Sequence, residues 1–329
     1  MTDPSYSAFG SIAPVHDPIG ERIRWFCPWL ISGPVALRNA LNRLDDVKDC
    51  ANASRITFRV VSEGGLSPEC VQTLTQWGLR IEALLPVGGA DGRVMTYIGK
   101  CSDSRKSGPS DTRREKLILD GIMAMPRKGP RLILANFRKL GGFHVELVQA
   151  GGLAPADLDR LVWLHRETFP TFPYDFEKKL DLMLTSPSSY VMAVVRSRRN
   201  QRIYSFSNLE LTDVTFDDGS VLRLAEYDNT MRVSHCPELG EIHGLGAILR
   251  VVLASQAARH GVDLCHAESR TGLAAINAIS YHSGMRLGGT LESHLLISGE
   301  NDIRYDAPSR FQSMNVWHLN RDALAVLPG

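Results

Sequence analysis

Apolar residues recur along this chain in two rhythms, one of strands and one of helices. Ile56–Val61 (ITFRVV) and Leu79–Pro86 are short, dense apolar runs of strand type. Between them Ser67-Pro68-Glu69 opens a helix that runs to Trp77. Ser67 is its expected cap, Pro68 suits the first helical position because an N–H is not needed there, and Gly78 stops it. Strand–helix–strand is an α/β unit. Upstream, Leu37, Leu41 and Leu44 in Val35–Val47 have helical spacing, whereas Ser7–Pro18 is rich in Pro, Gly and Ala and reads as irregular. Cys101–Lys116 (CSDSRKSGPSDTRREK) is polar, contains Gly and Pro, and reads as a solvated loop.

A strand from Phe143 (FHVELVQA) begins the second half. Ala154-Pro155-Ala156-Asp157 opens a helix carrying Leu158, Leu161, Val162 and His165, and Asp175–Leu184 forms another that ends before Ser186-Pro187. Tyr190–Arg196 (YVMAVVR) is a buried type of strand and Ile203–Val214 a second. The basic stretch between them, Arg196–Arg202, is either a plain hairpin tip or a docking patch for an acidic partner. Asp217-Asp-Gly-Ser220 is a hairpin turn, since glycine reaches positive φ without steric conflict, and Val221–Ser234 returns as a long strand. Then come a glycine-containing loop, a helix Ala247–Arg259, a strand Asp263–Glu268 and a helix ending at Ser283. Two strands, Met285–Ile297 and Phe311–Leu319, complete the order β–α–α–β–β–β–(Gly loop)–α–β–α–β–β.

At 329 residues the chain is long enough for two domains. The expected division is an extension over 1–50, an α/β domain over 51–141 and a second domain over 142–329. With 37 Lys+Arg against 36 Asp+Glu it carries no electrostatic footprint for duplex nucleic acid. No apolar run approaches the ~18 residues of a membrane span, and the first twenty residues lack the basic start and apolar core of a secretory signal. Six cysteines are scattered without a C-x-x-C pair, which suits free thiols in a reducing compartment. The expectation is a soluble cytoplasmic protein with no nucleic-acid or membrane partner; the oligomeric state is not legible.

Glu241-Ile-His-Gly-Leu-Gly246 leads into an amphipathic helix with Leu245, Ile248, Leu249 and Val252 on one face. Glycines there let a ligand approach the backbone, and the N–H groups of a helix start attract phosphate. The same pattern also makes a plain strand-to-helix turn. Taken with the element order, it resembles the GCN5-related N-acetyltransferase superfamily, whose Arg/Gln-x-x-Gly-x-Gly/Ala loop cradles the pyrophosphate of coenzyme A. That resemblance implies a mixed, mostly antiparallel central sheet flanked by helices, here with an additional N-terminal α/β domain. Narrower segments resemble the β-lysine N-acetyltransferase family: Phe169-Pro-Thr-Phe-Pro173, Gly78–Pro86, Leu287-Gly-Gly-Thr-Leu291, Ile297-Ser-Gly299 and Gln312-Ser-Met-Asn-Val-Trp-His318. The similarity runs from about residue 55 to 318, with residues 1–50 and Glu300–Arg310 as additions, and marks a divergent relative.

The resemblance implies acyl transfer from a phosphopantetheine thioester to the amine of a small amino-acid-like metabolite, by direct attack without a covalent enzyme intermediate. By the same resemblance the donor-binding residues are Val233, Glu241, His243, Gly244, Leu245, Gly246, Ala247 and Asn277. Glu241 stands where the superfamily has Arg or Gln, and a carboxylate beside a pyrophosphate is unfavourable. The donor is therefore either an acyl-coenzyme A or an acyl carrier protein, whose arm has one phosphodiester. Glu226 and Asp228, alternating on one strand face, are the carboxylates that would take the amine proton. Tyr281 is the first candidate acid for the departing thiolate, with Ser280 and His282 behind it; a one-residue offset from the family position turns a helical side chain by about 100°. Arg270 is a candidate for an acceptor carboxylate, and Phe169, Phe172 and His282 for the acceptor pocket. His235, Cys236, His243, Cys265 and His266 lack metal-ligand spacing, so no metal is expected. The rival reading is a catalytically inactive fold that binds a ligand or regulates a partner.

Overall fold

Strand and helix alternate through the first part of the chain as β1 (Val15–Asp17), β2 (Arg22–Leu30), α1 (Pro34–Ala51), β3 (Arg55–Glu63), α2 (Pro68–Gln76), β4 (Arg80–Pro86), β5 (Arg93–Cys101), α3 (Pro109–Met123) and α4 (Gly129–Lys139). The rest gives β6 (Phe143–Val148), α5 (Pro155–Thr168), α6 (Phe176–Thr185), β7 (Tyr190–Ser197), β8 (Ile203–Thr215), β9 (Val221–Arg232), β10 (His235–Cys236), β11 (Gly240–Glu241), α7 (Leu245–Arg259), β12 (Leu264–Arg270), α8 (Ala274–His282), β13 (Arg286–Leu295), β14 (Gln312–Asn320) and α9 (Arg321–Ala325). The computed structural model describes residues 15–17, 21–51, 53–89, 92–105, 109–148, 152–169, 175–233, 235, 236, 240, 241, 244–295 and 311–327. The addition at Glu300–Arg310 lies outside them.

Local sequence explains most boundaries. The Ser67 hydroxyl accepts from the Cys70 N–H at 3.3 Å and Pro68 follows it. Asp175 caps α6 by accepting from Glu177 and Lys178. The 101–116 stretch is not a loop throughout: a 3₁₀ turn at Asp103–Arg105 precedes α3, which starts on Pro109. Its first turns read as loop because Thr112, Arg113 and Arg114 are exposed, and apolar contacts begin only at Ile118 and Leu119.

Twelve strands form one sheet in the order β1-β2-β3-β5-β4-β13-β14-β12-β9-β8-β7-β6. Only β2/β3 and β9/β12 are parallel, so the fold is mixed α/β with a mostly antiparallel sheet and flanking helices, as expected, preceded by a further α/β region. The two regions repeat one another. β2-α1-β3-α2-β4-β5 pairs as β2-β3-β5-β4, and β9-α7-β12-α8-β13-β14 pairs as β9-β12-β14-β13. In each the first pair is parallel and the next two antiparallel. They join edge to edge through Gly289 opposite Ala83. A Cβ on Gly289 would meet the Glu82 carbonyl at 2.1 Å, so the close approach of two backbones requires glycine there.

The sheet curls on itself. Arg59 on β3 and Glu226 on β9 lie six strand spacings apart, about 29 Å along a flat sheet, yet their side chains come within 3.6 Å. The inner face so formed holds a core shared by both halves, including Val61, Leu85, Met95, Leu224, Leu264, Leu291 and Val316. The outer faces carry separate cores: α1 and α2 cover Ile23, Trp25, Phe58 and Ile98, while α7, α8 and α4 cover Ala225, Tyr227, Cys265 and Trp317. Helices α5 and α6 pack on β7–β9 through Leu161, Leu164, Leu180 and Phe206. Among the described residues no helix is long and apolar enough to cross a membrane, and Cys27, Cys70, Cys101 and Cys265 are free thiols.

Candidate functional site

The two halves differ at one place that matters. In the first, β2 and β3 pair from Arg22/Arg55 to Phe26/Arg59 and, after an irregularity, pair again at Leu30/Val61, with the Ile31 N–H on the Val61 carbonyl at 2.8 Å. In the second, β9 and β12 pair only from Leu224/Leu264 to Tyr227/Ala267, although β9 continues to Arg232 and β12 to Arg270. Beyond that point the parallel strands part and leave a wedge. A β-bulge prepares it: Asp228 and Asn229 together oppose Asn208, which shifts the alternation of every later residue on β9. Asn208 and Ser207 hold the bulge by bonding the Asn229 N–H and carbonyl at 3.2 and 2.8 Å.

Helix α7 starts at the mouth of this wedge. Gly244 is its N-cap at φ +86°, a left-handed conformation that favours glycine, and no side chain caps the helix. The amides of Leu245, Gly246 and Ala247 have no intrahelical acceptor, and a Cβ on Gly244 would meet nothing within 4 Å. Gly246 has a different reason to be glycine. A Cβ there would lie 2.9 Å from Ile279 Cδ1 and 3.4 Å from Thr230 Cγ2, so its bareness seats α7 between β9 and α8.

Below the wedge the inner face is lined with buried charge from both halves. Glu226 Oε2 lies 3.6 Å from Arg59 Nη1 and 3.7 Å from His266 Nε2, and it makes no hydrogen bond among the described residues. Burial, then the Glu268 carboxylate, push the Glu226 carboxyl well above the usual range, against the pull of Arg59. Burial would also raise Glu268, but His294, Arg59 and Arg22 outweigh it and hold that carboxyl low. Burial and then Arg59 push His266 down to about 3, so its imidazole is neutral. Tyr97 reaches His266 Nδ1 at 3.3 Å, and Arg22 and Arg55 reach the two ring nitrogens of His294 at 2.6 and 3.2 Å. On the α6 side Lys179, fully buried, bridges Glu210 at 2.8 Å and Asp228 at 3.2 Å.

The predicted site residues divide into three groups. Glu226 and Asp228 share the inner face, and Arg270 ends β12 beside the wedge, buried. Phe169 is half-buried at the end of α5, where it packs on the inner core. The second group is committed elsewhere. The Val233 N–H donates to the Tyr204 carbonyl at 2.9 Å and so is not available to a thioester carbonyl. The Tyr281 hydroxyl is bound to the Met123 and Met125 carbonyls at 3.2 and 3.0 Å, on the outer side where α3 meets α4. His282 accepts from the Lys128 N–H on that same side. Ser280 points at Ser269 and the Ile276 carbonyl, fully buried. Asn277 spends both its donors and both acceptor positions on Arg270, Leu273, Asn315 and Trp317. The third group is His243, Phe172 and the Glu241 side chain, which lie outside the described residues. Sequence reasoning missed Arg59, Glu268 and His294 and weighed His266 only as a metal ligand. Their signal was the alternation in Thr57-Phe58-Arg59 and His266-Ala267-Glu268, which puts polar groups on one strand face.

No family model matches the chain. No curated protein matches it either. Solved structures do. NAA60 of Arabidopsis thaliana in complex with acetyl-CoA is 13% identical, covering 55% of this chain and 99% of that one at a TM-score of 0.42. YncA, a putative acetyltransferase of Salmonella typhimurium solved with acetyl-CoA, is 14% identical, covering 57% and 99% at 0.40. The spermidine N-acetyltransferase of Vibrio cholerae with CoA and spermine is 14% identical, covering 55% and 98% at 0.38.

Proposed function

We propose that the chain is an N-acyltransferase that moves an acyl group from a phosphopantetheine thioester to the amine of a small amino-acid-like metabolite. The observation that carries this reading is the wedge between β9 and β12, with an uncapped helix start at its mouth and a buried carboxylate at its floor. The donor is an acyl-coenzyme A or an acyl carrier protein; its thioester supplies an activated carbonyl. The first-turn amides of α7 would hold the phosphate nearest the arm. In an antiparallel ladder alternate amides face the partner strand. With the Val233 N–H given to β8, the amides of Thr230 and Arg232 fall on the wedge side, one residue from the position first expected, and would bind the carbonyl oxygen.

Glu226 would take the proton of the attacking ammonium, directly or through water. A carboxylate held above its ordinary pKa is a better base for an amine than an exposed one. The C–N bond forms as the C–S bond breaks, and the sulfur leaves as a thiol with a proton from the amine. With the Tyr281 proton committed to two carbonyls, water is the natural carrier of that last proton. Asp228, held 3.2 Å from Lys179, would order the acceptor side. Arg270 would receive an acceptor carboxylate and Phe169 would wall the pocket. The cytoplasm, where acyl thioesters and free thiols coexist, is the setting this chemistry fits.

The internal commitments of Tyr281 and Asn277 favour one rival, a non-catalytic fold that binds a ligand in the wedge. Thiol release from acetyl-coenzyme A with a panel of amino acids and diamines separates the two. Amine-dependent release that is lost in Glu226→Gln supports the enzyme. Acetyl-coenzyme A binding without release with any amine would leave only the rival.

A further inference from the structure

Pairing of Ser205 with Arg232 places the turn between β7 and β8 at the end of β9 where the wedge opens. The Arg198 N–H binds the Gly142 carbonyl at 2.8 Å, which brings the last turn of α4 to the same end. These two segments are rich in one charge. Residues 121–145 contain five Lys/Arg and no Asp/Glu, and residues 190–209 contain four Arg and no Asp/Glu, in a chain of net charge +1. Arg196 is buried and binds Asp157 at 2.8 and 3.1 Å and Glu146 at 3.0 Å, which neutralises two neighbouring carboxylates. Arg138, Lys139, Arg198, Arg199 and Arg202 are exposed and make no ion pair among the described residues. Arg160 donates to the Ile203 carbonyl at 3.0 Å and lies over Trp163 at 4.0 Å. Burial, and next the nearness of Arg202, push its pKa down to about 10. Leu140 and Trp163, each about two-fifths exposed (41% and 42%), sit among these charges.

Resting on the acyltransferase reading, we infer that this rim, formed by the end of α4, the β7–β8 turn and the start of α5, docks an acidic carrier protein that presents the thioester to the wedge. Apart from the exposed Asp159 in the first turns of α5, the free charge of the rim is positive, and it lies at the end of β9 where the wedge opens. Such a patch speeds and orients the approach of an acidic partner. Cations interleaved with an exposed Trp and Leu suit a protein interface, which is enriched in Arg and aromatic residues. Five free cations on two elements exceed what one phosphodiester needs. In the sequence pattern Glu241 stands where the resemblance expects an Arg or Gln for a pyrophosphate, and a carrier's single phosphodiester asks for less positive charge there.

The test is a titration of a bacterial holo acyl carrier protein, its arm acetylated, into wild type and Arg198→Glu/Arg199→Glu, with acetyl-coenzyme A titrated in parallel. Wild type should bind the carrier at about micromolar Kd, weaken as salt rises to about 0.15 M, and lose roughly tenfold or more on charge reversal. Acetyl-coenzyme A binding should not change with the variant, which also reports that it is folded. Wild type that binds acetyl-coenzyme A but not the carrier overturns the docking inference and leaves the acyltransferase reading intact. So does equal carrier binding by both proteins, or displacement of the carrier by an equally charged DNA oligomer. Carrier binding without acyl transfer from either donor would instead overturn the acyltransferase reading.

Discussion

Asn277 separates a structural from a donor-binding role most cleanly. Its amide nitrogen donates to the Arg270 and Leu273 carbonyls at 2.8 and 2.9 Å, and its oxygen accepts from Asn315 Nδ2 and Trp317 Nε1 at 2.9 and 3.0 Å. All these groups are buried or nearly so, and they tie α8 to β12 and β14. Asn277→Ala orphans two buried donors, each at about 1–3 kcal/mol. The two carbonyls keep second partners, the Leu273 and Asn277 N–H groups, so they add little. The expected loss is about 4 kcal/mol, a large fraction of the roughly 5–15 kcal/mol that holds a domain. Asn277→Asp should be at least as damaging at neutral pH, because a carboxylate oxygen then faces two carbonyls. Its deficit should shrink as pH falls, since the protonated acid regains one donor and its folded pKa is raised. Urea unfolding followed by tryptophan fluorescence measures both. A stability within about 1 kcal/mol of wild type, together with lost acetyl-coenzyme A binding, would refute the reasoning and return Asn277 to the donor.

Gly289→Ala forces a Cβ onto the Glu82 carbonyl and the Ala83 Cα, both backbone, so β4 and β13 must part; a loss of about 3 kcal/mol or more is expected, and an unchanged Tm would contradict it. Lys179→Met leaves Glu210 and Asp228 without their shared cation, at about 3–5 kcal/mol; a loss below about 1 kcal/mol in urea unfolding would count against it. If Glu226 is the base, kcat/KM should rise with pH through an inflection above the ordinary carboxylate range, and Glu226→Gln should lower it about 100-fold or more; a flat wild-type profile would remove Glu226 from the mechanism. Because its folded pKa is raised, Glu226 alone should make wild-type stability fall as pH rises from the unfolded carboxylate value to the folded one, and Glu226→Gln should flatten that fall in urea titrations across the window.

Much of the second half was legible because its elements are long and bounded by strong punctuation. The Asp217–Ser220 turn, the cap at Asp175 and the prolines at 155 and 187 fixed boundaries that the structure reproduces within a residue or two. The α3 helix was not, since its first turns are polar and its apolar residues meet α8 only through tertiary packing. The site was half legible. Glu226 lies on a strand and Gly244 just before a helix, as the pattern predicts, whereas Tyr281 and Val233 find partners that no local pattern announces: two carbonyls from a segment more than 150 residues away, and a neighbouring strand. Arg59 was invisible for a topological reason. Nothing in a linear pattern says that a sheet will curl until its third strand faces its ninth.

That curl gives the duplication its chemical sense. The closed copy contributes Arg22, Arg55, Arg59 and Tyr97 to the inner face, and the open copy contributes Glu226, Glu268, His266 and His294. Cations from one half meet carboxylates of the other, although Arg55 also pairs with Glu82 of its own half, and all but the partly buried Glu268 are buried. A buried charge that loses its partner is strongly destabilising, so the Arg59–Glu226 pair ties the two halves together. The closed copy is thereby held in place as a wall of the open copy's pocket. Trp25 stacked on Phe58 at 5.1 Å, with β2 and β3 paired again at Leu30/Val61, keeps that wall from opening a second wedge. One copy supplies the cleft and the other fixes its electrostatics, so the pKa of Glu226, on which the proposed chemistry turns, is set in part by a residue nearly 170 positions earlier in the chain.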